Sequence, residues 1–287
     1  MKLNKGRKPA ILGRGARGRL PVTVSIVLWM DLLGYGSMLR EAKFDPTHPL
    51  AIDAIKRLEK FQSTVSAFSN RYMNLMCMND GAISWRDLSY RDNSVSMDFM
   101  QRAIELHNHV NQIDKELGFY GARSVLAVGF RITNLEKNTN VQYEENILKR
   151  LSAGKLTPEQ AVREAYASNP SYGFNHHLQG NFAFTKAYVV DSGGGKAGFG
   201  GPKMYIDLNL FDDELPEWIE FSREIELMSD GLNGKFGELK DFNQKLAGET
   251  RHKGILSATE ISTSLFSDYN GEDPIKRLIK DRGIKKY

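Results

Sequence analysis

The chain has 287 residues, of which 41% are hydrophobic and 26% charged, and it carries a net charge of +4. Its length suits one large domain or two small ones, and its composition is that of an ordinary globular protein. It has no apolar run of about 18 residues, so no membrane span is expected, and its single cysteine, Cys77, excludes an internal disulfide.

The first nineteen residues hold Lys2, Lys5, Arg7, Lys8, Arg14, Arg17 and Arg19 and no acid. Residues 1–20 read as a basic, flexible arm without the apolar core of a secretion signal. With the lone cysteine, this suits a cytoplasmic protein. A second basic run includes Lys276, Arg277, Lys280, Arg282, Lys285 and Lys286. Such arms can hold nucleic acid through phosphate contacts, but a solvated terminus is the favoured reading.

Pro21 to Met30 reads as a strand, alternating at first and then continuously apolar. A glycine-containing turn and a helical start follow from Gly34. From Leu50 the period becomes helical, with Ile52, Ile55, Leu58, Phe61 and Val65 on one face and Lys56, Arg57 and Lys60 elsewhere. Tyr72 to Met78 and Ala82 to Leu88 form two strands joined at Asn79-Asp80-Gly81, a hairpin signal. Phe99 to Leu117 is a second amphipathic helix, whose inner stripe is Phe99, Ala103, Leu106, Val110, Ile113 and Leu117. Arg123 to Ile132 is another buried strand. Short helices are expected near Glu144 to Leu151 and from Thr157, where Thr-Pro-Glu-Gln has the form of a helix cap. Phe182 to Val190 is helical, Asp191 to Gly201 a mobile glycine-rich connector, and Met204 to Leu208 a short strand. The rest, from Leu215, reads as helical and charged. The order strand, helix, strand, strand, helix, strand, helix, strand is the ferredoxin-like plan with one strand added. The chain therefore divides into the arm 1–20, an α/β (α+β) domain over 21–214, and a helical extension over 215–287 packed on that domain.

Asp31 ends the first strand, and a buried carboxylate without a partner costs several kcal/mol. A divalent cation is one such partner, and the backbone N–H groups of the turn through Gly36 can hold the phosphates it brings. Asp80, in the hairpin turn, stands forty-nine residues later. Alone it is a turn residue; paired with Asp31 it points to two-metal nucleotidyl transfer. Other chemistry-bearing types have plainer readings. His107 and His109 are two apart and face different ways, His176 and His177 read as loop residues, and Met73, Met76 and Met78 fill core. The Gly193-Gly-Gly-Lys-Ala-Gly run lacks the spacing of a P-loop.

Val27-Leu-Trp-Met-Asp31-Leu-Leu-Gly-Tyr-Gly36 resembles the first metal motif of class III nucleotidyl cyclases, and Asn79-Asp80 resembles the second. Arg123-Ser-Val-Leu-Ala-Val-Gly129-Phe-Arg131 and Gly180-Asn-Phe-Ala-Phe-Thr-Lys-Ala-Tyr188 are similar to a later strand and helix of that family. Purine cyclases place a Lys four residues before the second Asp and a polar residue before the later helix; here Met76 and His177 stand there. The Asn and Arg of the purine enzymes' helix are replaced by Phe184 and Tyr188. In these departures the chain looks like the pyrimidine cyclases of Pycsar antiphage systems.

The resemblance implies the cyclase fold, an antiparallel sheet with helices on one face. It implies a homodimer with active sites at the subunit interface. There UTP, or else CTP, would become the 3′,5′-cyclic monophosphate and pyrophosphate with Mn²⁺ or Mg²⁺, two ions per site. Asp31, Asp80 and the Leu32 carbonyl would hold the metal. Leu33, Gly34, Tyr35 and Gly36 would meet the phosphates, and Met76, His177 and Tyr188 the rest of the substrate. Arg131 and Lys186 would act as catalytic cations, with Lys203 a lesser candidate. The product would act on a separate cyclic-nucleotide-responsive effector in antiphage defence, with no membrane or nucleic-acid partner. A cyclase-like nucleotide-binding module without turnover is the alternative.

Overall fold

The computed structural model describes residues 22–132, 139–167, 175, 177–229 and 232–267. The N-terminal arm and the basic run near the C-terminus lie outside them.

A seven-stranded sheet organises the chain, in the order β2-β3-β1-β4-β5-β7-β6. Its first half comes from β1 (Val22–Leu32), α2 (Pro49–Phe68), β2 (Asn74–Met78), β3 (Gly81–Asp87), α3 (Ser94–Glu116) and β4 (Ala122–Ile132). This is the ferredoxin-like plan, with β1 central and antiparallel to both β3 and β4. The short α1 (Tyr35–Glu41) follows β1, and α4 (Thr139–Ser152) and α5 (Pro158–Ala167) follow β4. α6 (Phe182–Gly193) then leads to β5 (Met204–Asp207), which runs parallel to β4.

Strand alternation decides which side chains share a face. Val24, Ile26, Leu28, Met30 and Leu32 of β1 pack in the larger core, with residues of α2 and α3. Val27 and Trp29 face the other way, into a second core with Ala183, Ala187 and Val190 of α6. Asp31 continues this second set. α6 can lie close on the sheet because of Gly129: a Cβ there would stand 2.8 Å from the backbone N of Ala183.

The α+β architecture expected from the sequence is present, with three differences. Helices cover both faces, because β1 and β4 are apolar on both sides. The sheet is mixed, through the parallel pairing of β4 with β5. The segment after Leu215 is not mainly helical: β6 (Ile219–Ser229) and β7 (Leu232–Phe242) form an antiparallel hairpin that completes the sheet edge, followed by α7 (Gln244–Glu249) and α8 (Ala258–Ser267). Alternation in Phe221, Arg223, Ile225 and Leu227 carries the strand signal there, obscured by charged residues on an edge strand. Thr157 caps α5 as expected, its hydroxyl accepting from Gln160 N while the Gln160 side chain accepts from Thr157 N.

Candidate active site

β1 delivers Asp31 to the sheet edge opposite Gly81 of β3 and Arg123 of β4. The β2–β3 turn is fastened there by the backbone, Leu32 N donating to Asp80 O at 3.0 Å. Asp31 and Asp80 thus stand at one end of the sheet, and each carboxylate repels the other's charge. Burial, then Asp191, then Asp80 push the Asp31 carboxyl up to about 7, against weaker opposing pulls from Arg123 and Arg57. Asp191 comes from the end of α6 and is buried against Arg123, whose Nε donates to it at 2.6 Å. Asp191 is thus paired with Arg123, and both act electrostatically on Asp31.

Arg123 also donates to the carbonyls of Asp191 and Phe199, at 2.9 and 3.0 Å. Among the described residues three of its five N–H groups are used. The Phe199 bond ties the glycine-rich segment to the same sheet end, where Gly194–Ala197 forms a 3-10 turn. That segment, expected as a mobile connector, is anchored by a buried guanidinium.

A second arginine holds the turns on either side. Arg57 of α2 is fully buried, and its guanidinium forks onto Asp114 of α3 at 2.8 and 2.7 Å. It also donates to Leu33 O at 3.0 Å and Gly121 O at 3.3 Å. Gly121 N donates to Asp114 at 2.6 Å, and Leu33 N to Gly121 O at 3.0 Å. One buried pair thus fixes the turn after Asp31 and the turn before Arg123. The apolar faces of both helices differ accordingly from the expected ones. Arg57 replaces an apolar residue on the buried stripe of α2, while Ile52 and Ile55 are about two-fifths exposed. Asp114 ends the stripe of α3, where Leu117 is half exposed.

Leu33 and Gly34 form the turn into α1, with Gly34 at φ 83° and Tyr35 and Gly36 in the first helical turn. A side chain at Gly34 would be strained, and its Cβ would come within 3.2 Å of the Tyr120 ring. The other expected residues lie further off on the Asp31 face of the sheet. Met76 pairs with Ile83 of β3, which pairs with Trp29. Phe184 and Tyr188 of α6 pack on the Trp29 indole at centroid distances of 6.0 and 5.7 Å, and His177 stacks on Trp85 at 6.0 Å.

Two expected cations are elsewhere. Arg131 sits eight residues beyond Arg123 on β4, about 27 Å away at the usual strand rise. It is bonded through both nitrogens to Asp87, at 2.9 and 2.5 Å. Lys186 faces inward beneath α6 and donates to the fully buried Asp207 at 2.5 Å. Both are structural ion pairs, since neither side chain reaches the acidic end of the sheet. Lys203 lies 3.6 Å from Glu238. The residues that sequence reasoning passed over, Arg57, Arg123, Asp114 and Asp191, carried one signal: charged residues set in otherwise apolar elements.

Among the described residues no group of three or more His, Cys, Asp or Glu side chains is arranged to hold a metal ion. The donor set at the sheet end is two carboxylates with backbone oxygens nearby. That fits a hard cation such as Mg²⁺ or Mn²⁺, which takes one or two carboxylates and completes its shell with water and phosphate oxygens. The chemistry of this donor set carries the fit, and a cation there would offset the burial and like charge that raise the Asp31 carboxyl.

No protein-family model matches the chain, and no curated protein matches it. Among solved structures it is similar to the guanylyl cyclase Cya2, with 12% identity over 79% of this chain and 96% of that one and a TM-score of 0.46. It is also similar to the guanylate cyclase domain of RhGC from Catenaria anguillulae in complex with GTP (9% identity, 77% and 97% covered, TM-score 0.42). A bacterial light-regulated adenylyl cyclase gives 9% identity, 84% and 60% covered, and a TM-score of 0.42. Likeness at this level leaves the functional reading to the residues of this chain.

Proposed function

We propose that the chain is a nucleotidyl cyclase that converts a pyrimidine nucleoside triphosphate, UTP ahead of CTP, into its 3′,5′-cyclic monophosphate and pyrophosphate. The observation that carries this reading is the meeting of Asp31 and Asp80 at one sheet end, with excess negative charge there and Arg123 alongside. A half-buried carboxyl raised to about 7 by partial burial and like charges is a site suited to cations.

Two divalent ions, when bound, lower the pKa of the ribose 3′-hydroxyl and neutralise charge on the departing pyrophosphate. Asp31 and Asp80 would hold them, with the Leu32 carbonyl as a further oxygen. The 3′-oxygen loses its proton to solvent and bonds to the α-phosphorus, and the bond from that phosphorus to the pyrophosphate oxygen breaks. Arg123 would stabilise developing phosphate charge, and the turn from Gly34 to Gly36 would receive the outer phosphates, since Leu33 N is already bonded to Gly121 O. Lining of the Asp31 face by Met76, His177, Phe184 and Tyr188 supports a smaller base and an active site completed by a second copy of the chain. Among these four residues none supplies the lysine, asparagine or arginine contacts expected for purines. Cyclic product would then act on a separate effector, in keeping with the resemblance to antiphage cyclases.

Incubation with each of the four nucleoside triphosphates and Mn²⁺ tests this, with cyclic nucleotide and pyrophosphate as the readouts. Cyclic UMP is the expected product. Product from ATP or GTP alone would remove the pyrimidine assignment, and no cyclic product from any would remove the enzyme. Packing of Phe184 and Tyr188 onto Trp29 favours one second reading, a nucleotide-binding module without turnover. Saturable binding of nucleotide with no conversion would establish it.

A further inference from the structure

A cavity of about 310 Å³ opens between α3, the start of β5 and the end of β7, in the layer that holds the larger core. Its volume lies at the small end of the range for small-molecule sites. Ile104, Met204, Leu239 and Phe242 supply apolar walls, and Lys203 and Asp241 stand at the mouth with their side chains exposed.

His107 lines the cavity, although only 7% of it is exposed. Its hydrogen bonds can be counted. The Asn111 amide nitrogen gives its two protons to His107 O and Ala122 O, both at 3.0 Å. The Asn111 carbonyl oxygen accepts from Ala122 N at 2.9 Å, which fixes the amide's orientation. The same amide nitrogen also lies against the imidazole, at 3.2 and 3.3 Å from its two ring nitrogens. Nδ1 lies 2.8 Å from the fully buried Ser124 hydroxyl, whose only hydrogen-bond partner among the described residues is this ring. In the tautomer whose Nδ1 accepts from that hydroxyl, the ring proton sits on Nε2. Burial holds the imidazole neutral, its pKa pushed down to about 4. In that tautomer Nε2 is a donor at the wall of the cavity, where a bound group can accept from it.

The mouth specifies charge of both signs. Lys203 touches Glu238 only at 3.6 Å, and Glu238 is bonded more closely to Arg223, at 2.9 Å. Asp241 lies in the field of Lys240, which donates instead to Glu220 at 2.6 Å. Glu105, which accepts from the neutral Gln101 amide at 3.2 Å, also lines the cavity, so the Lys203 ammonium and the Glu105 and Asp241 carboxylates stand beside an apolar wall and the imidazole.

We propose that this cavity binds a free amino acid with an apolar side chain. The side chain lies against Ile104, Met204, Leu239 and Phe242. The carboxylate meets Lys203 and the His107 Nε2 proton, and the ammonium meets Asp241. This site is separate from the acidic sheet end and does not depend on the reaction proposed there. The two are nonetheless close through the backbone: Ser124, which holds His107, follows Arg123 directly, and Ser124 N donates to Lys203 O at 2.9 Å.

Isothermal titration calorimetry on the full chain tests the proposal with L-leucine and L-phenylalanine. 4-Methylpentanoate and isoamylamine serve as analogues lacking one charge each. Saturable binding of an amino acid is expected, with each analogue about tenfold weaker or more. Lys203→Met and Asp241→Asn should each weaken amino-acid binding by about tenfold while leaving the melting temperature unchanged, because both side chains are exposed. No saturable heat from either amino acid up to about 10 mM would overturn the proposal and leave an ordered water as the His107 acceptor. Binding that neither variant weakens would overturn it equally.

Discussion

Arg123 and Arg131 lie on the same face of β4, both buried and both bonded to an aspartate, yet their surroundings differ in one decisive respect. Around Arg131 the charges balance, with one guanidinium on one carboxylate, Asp87. Around Arg123 they do not, since Asp31 and Asp80 add to Asp191 at the same sheet end. A balanced buried pair is a fold element, and removing one partner costs stability. A cluster of like charge costs stability, and the proposed cations would supply the charge that balances it. Fold and function can therefore be separated along a single strand.

The largest test of this contrast exchanges the effects of the two ends. On the proposed mechanism Asp31→Asn should lower turnover by about a thousandfold or more, because Asp31 would hold the metal whose charge acts in the transition state. Folding should be unharmed or improved, since a repelled, desolvated carboxylate is gone. Arg131→Leu should do the reverse and cost about 2–4 kcal/mol of stability, with Asp87 left partly solvated, while kcat is preserved. Cyclase assays beside urea unfolding check both. Loss of turnover in Arg131→Leu without loss of stability would place Arg131 in the reaction after all.

Next in size is a pH effect confined to the acidic end. Folded Asp31 keeps its proton until about pH 7, whereas the unfolded chain releases it near 3.8. Between those values the folded state binds more protons, so stability falls as pH rises across the window. Every tenfold gain in proton affinity on folding is worth about 1.4 kcal/mol, which gives a fall of up to roughly 4 kcal/mol. Urea unfolding from pH 4 to pH 8 should show this slope in the wild type, and Asp31→Asn should flatten it. Saturating Mn²⁺ should restore stability at the upper end. An Arg131 variant should keep the slope.

Most of the frame was legible in the sequence, because periodicity reports faces. The run from Val22 to Leu32 and the hairpin at Asn79-Asp80-Gly81 bring the two carboxylates to one sheet end provided β1 and β3 are neighbours, and the pairing of Asp31 with Gly81 supplies that condition. Chain position alone misleads wherever both ends of a strand carry the same residue type. Arg131 ends β4 as Arg123 begins it, and only register shows which of them meets Asp31. Lys186 misled for a related reason: the second apolar core draws it inward to Asp207, a partner twenty-one residues away. Arg57 was hidden by its own rule, since a charged residue on an amphipathic helix is assigned to the solvent side unless its buried partner, Asp114, is known.

That buried pair carries the smallest effect, and it sharpens the contrast because its charges balance while its hydrogen bonds serve the unbalanced end. Arg57→Lys keeps the charge but loses the fork that reaches Asp114, Leu33 O and Gly121 O together. A cost of about 1–2 kcal/mol is expected from the lost hydrogen bonds to a charged group. The turn after Asp31 then gains freedom, so turnover should fall by roughly tenfold while nucleotide affinity changes little. The double variant Arg57→Leu with Asp114→Leu separates the two roles: it removes both buried charges, so it should recover stability without recovering kcat. Recovery of both would show that Arg57 and Asp114 serve the fold alone, as Arg131 and Asp87 do at the other end of the same strand.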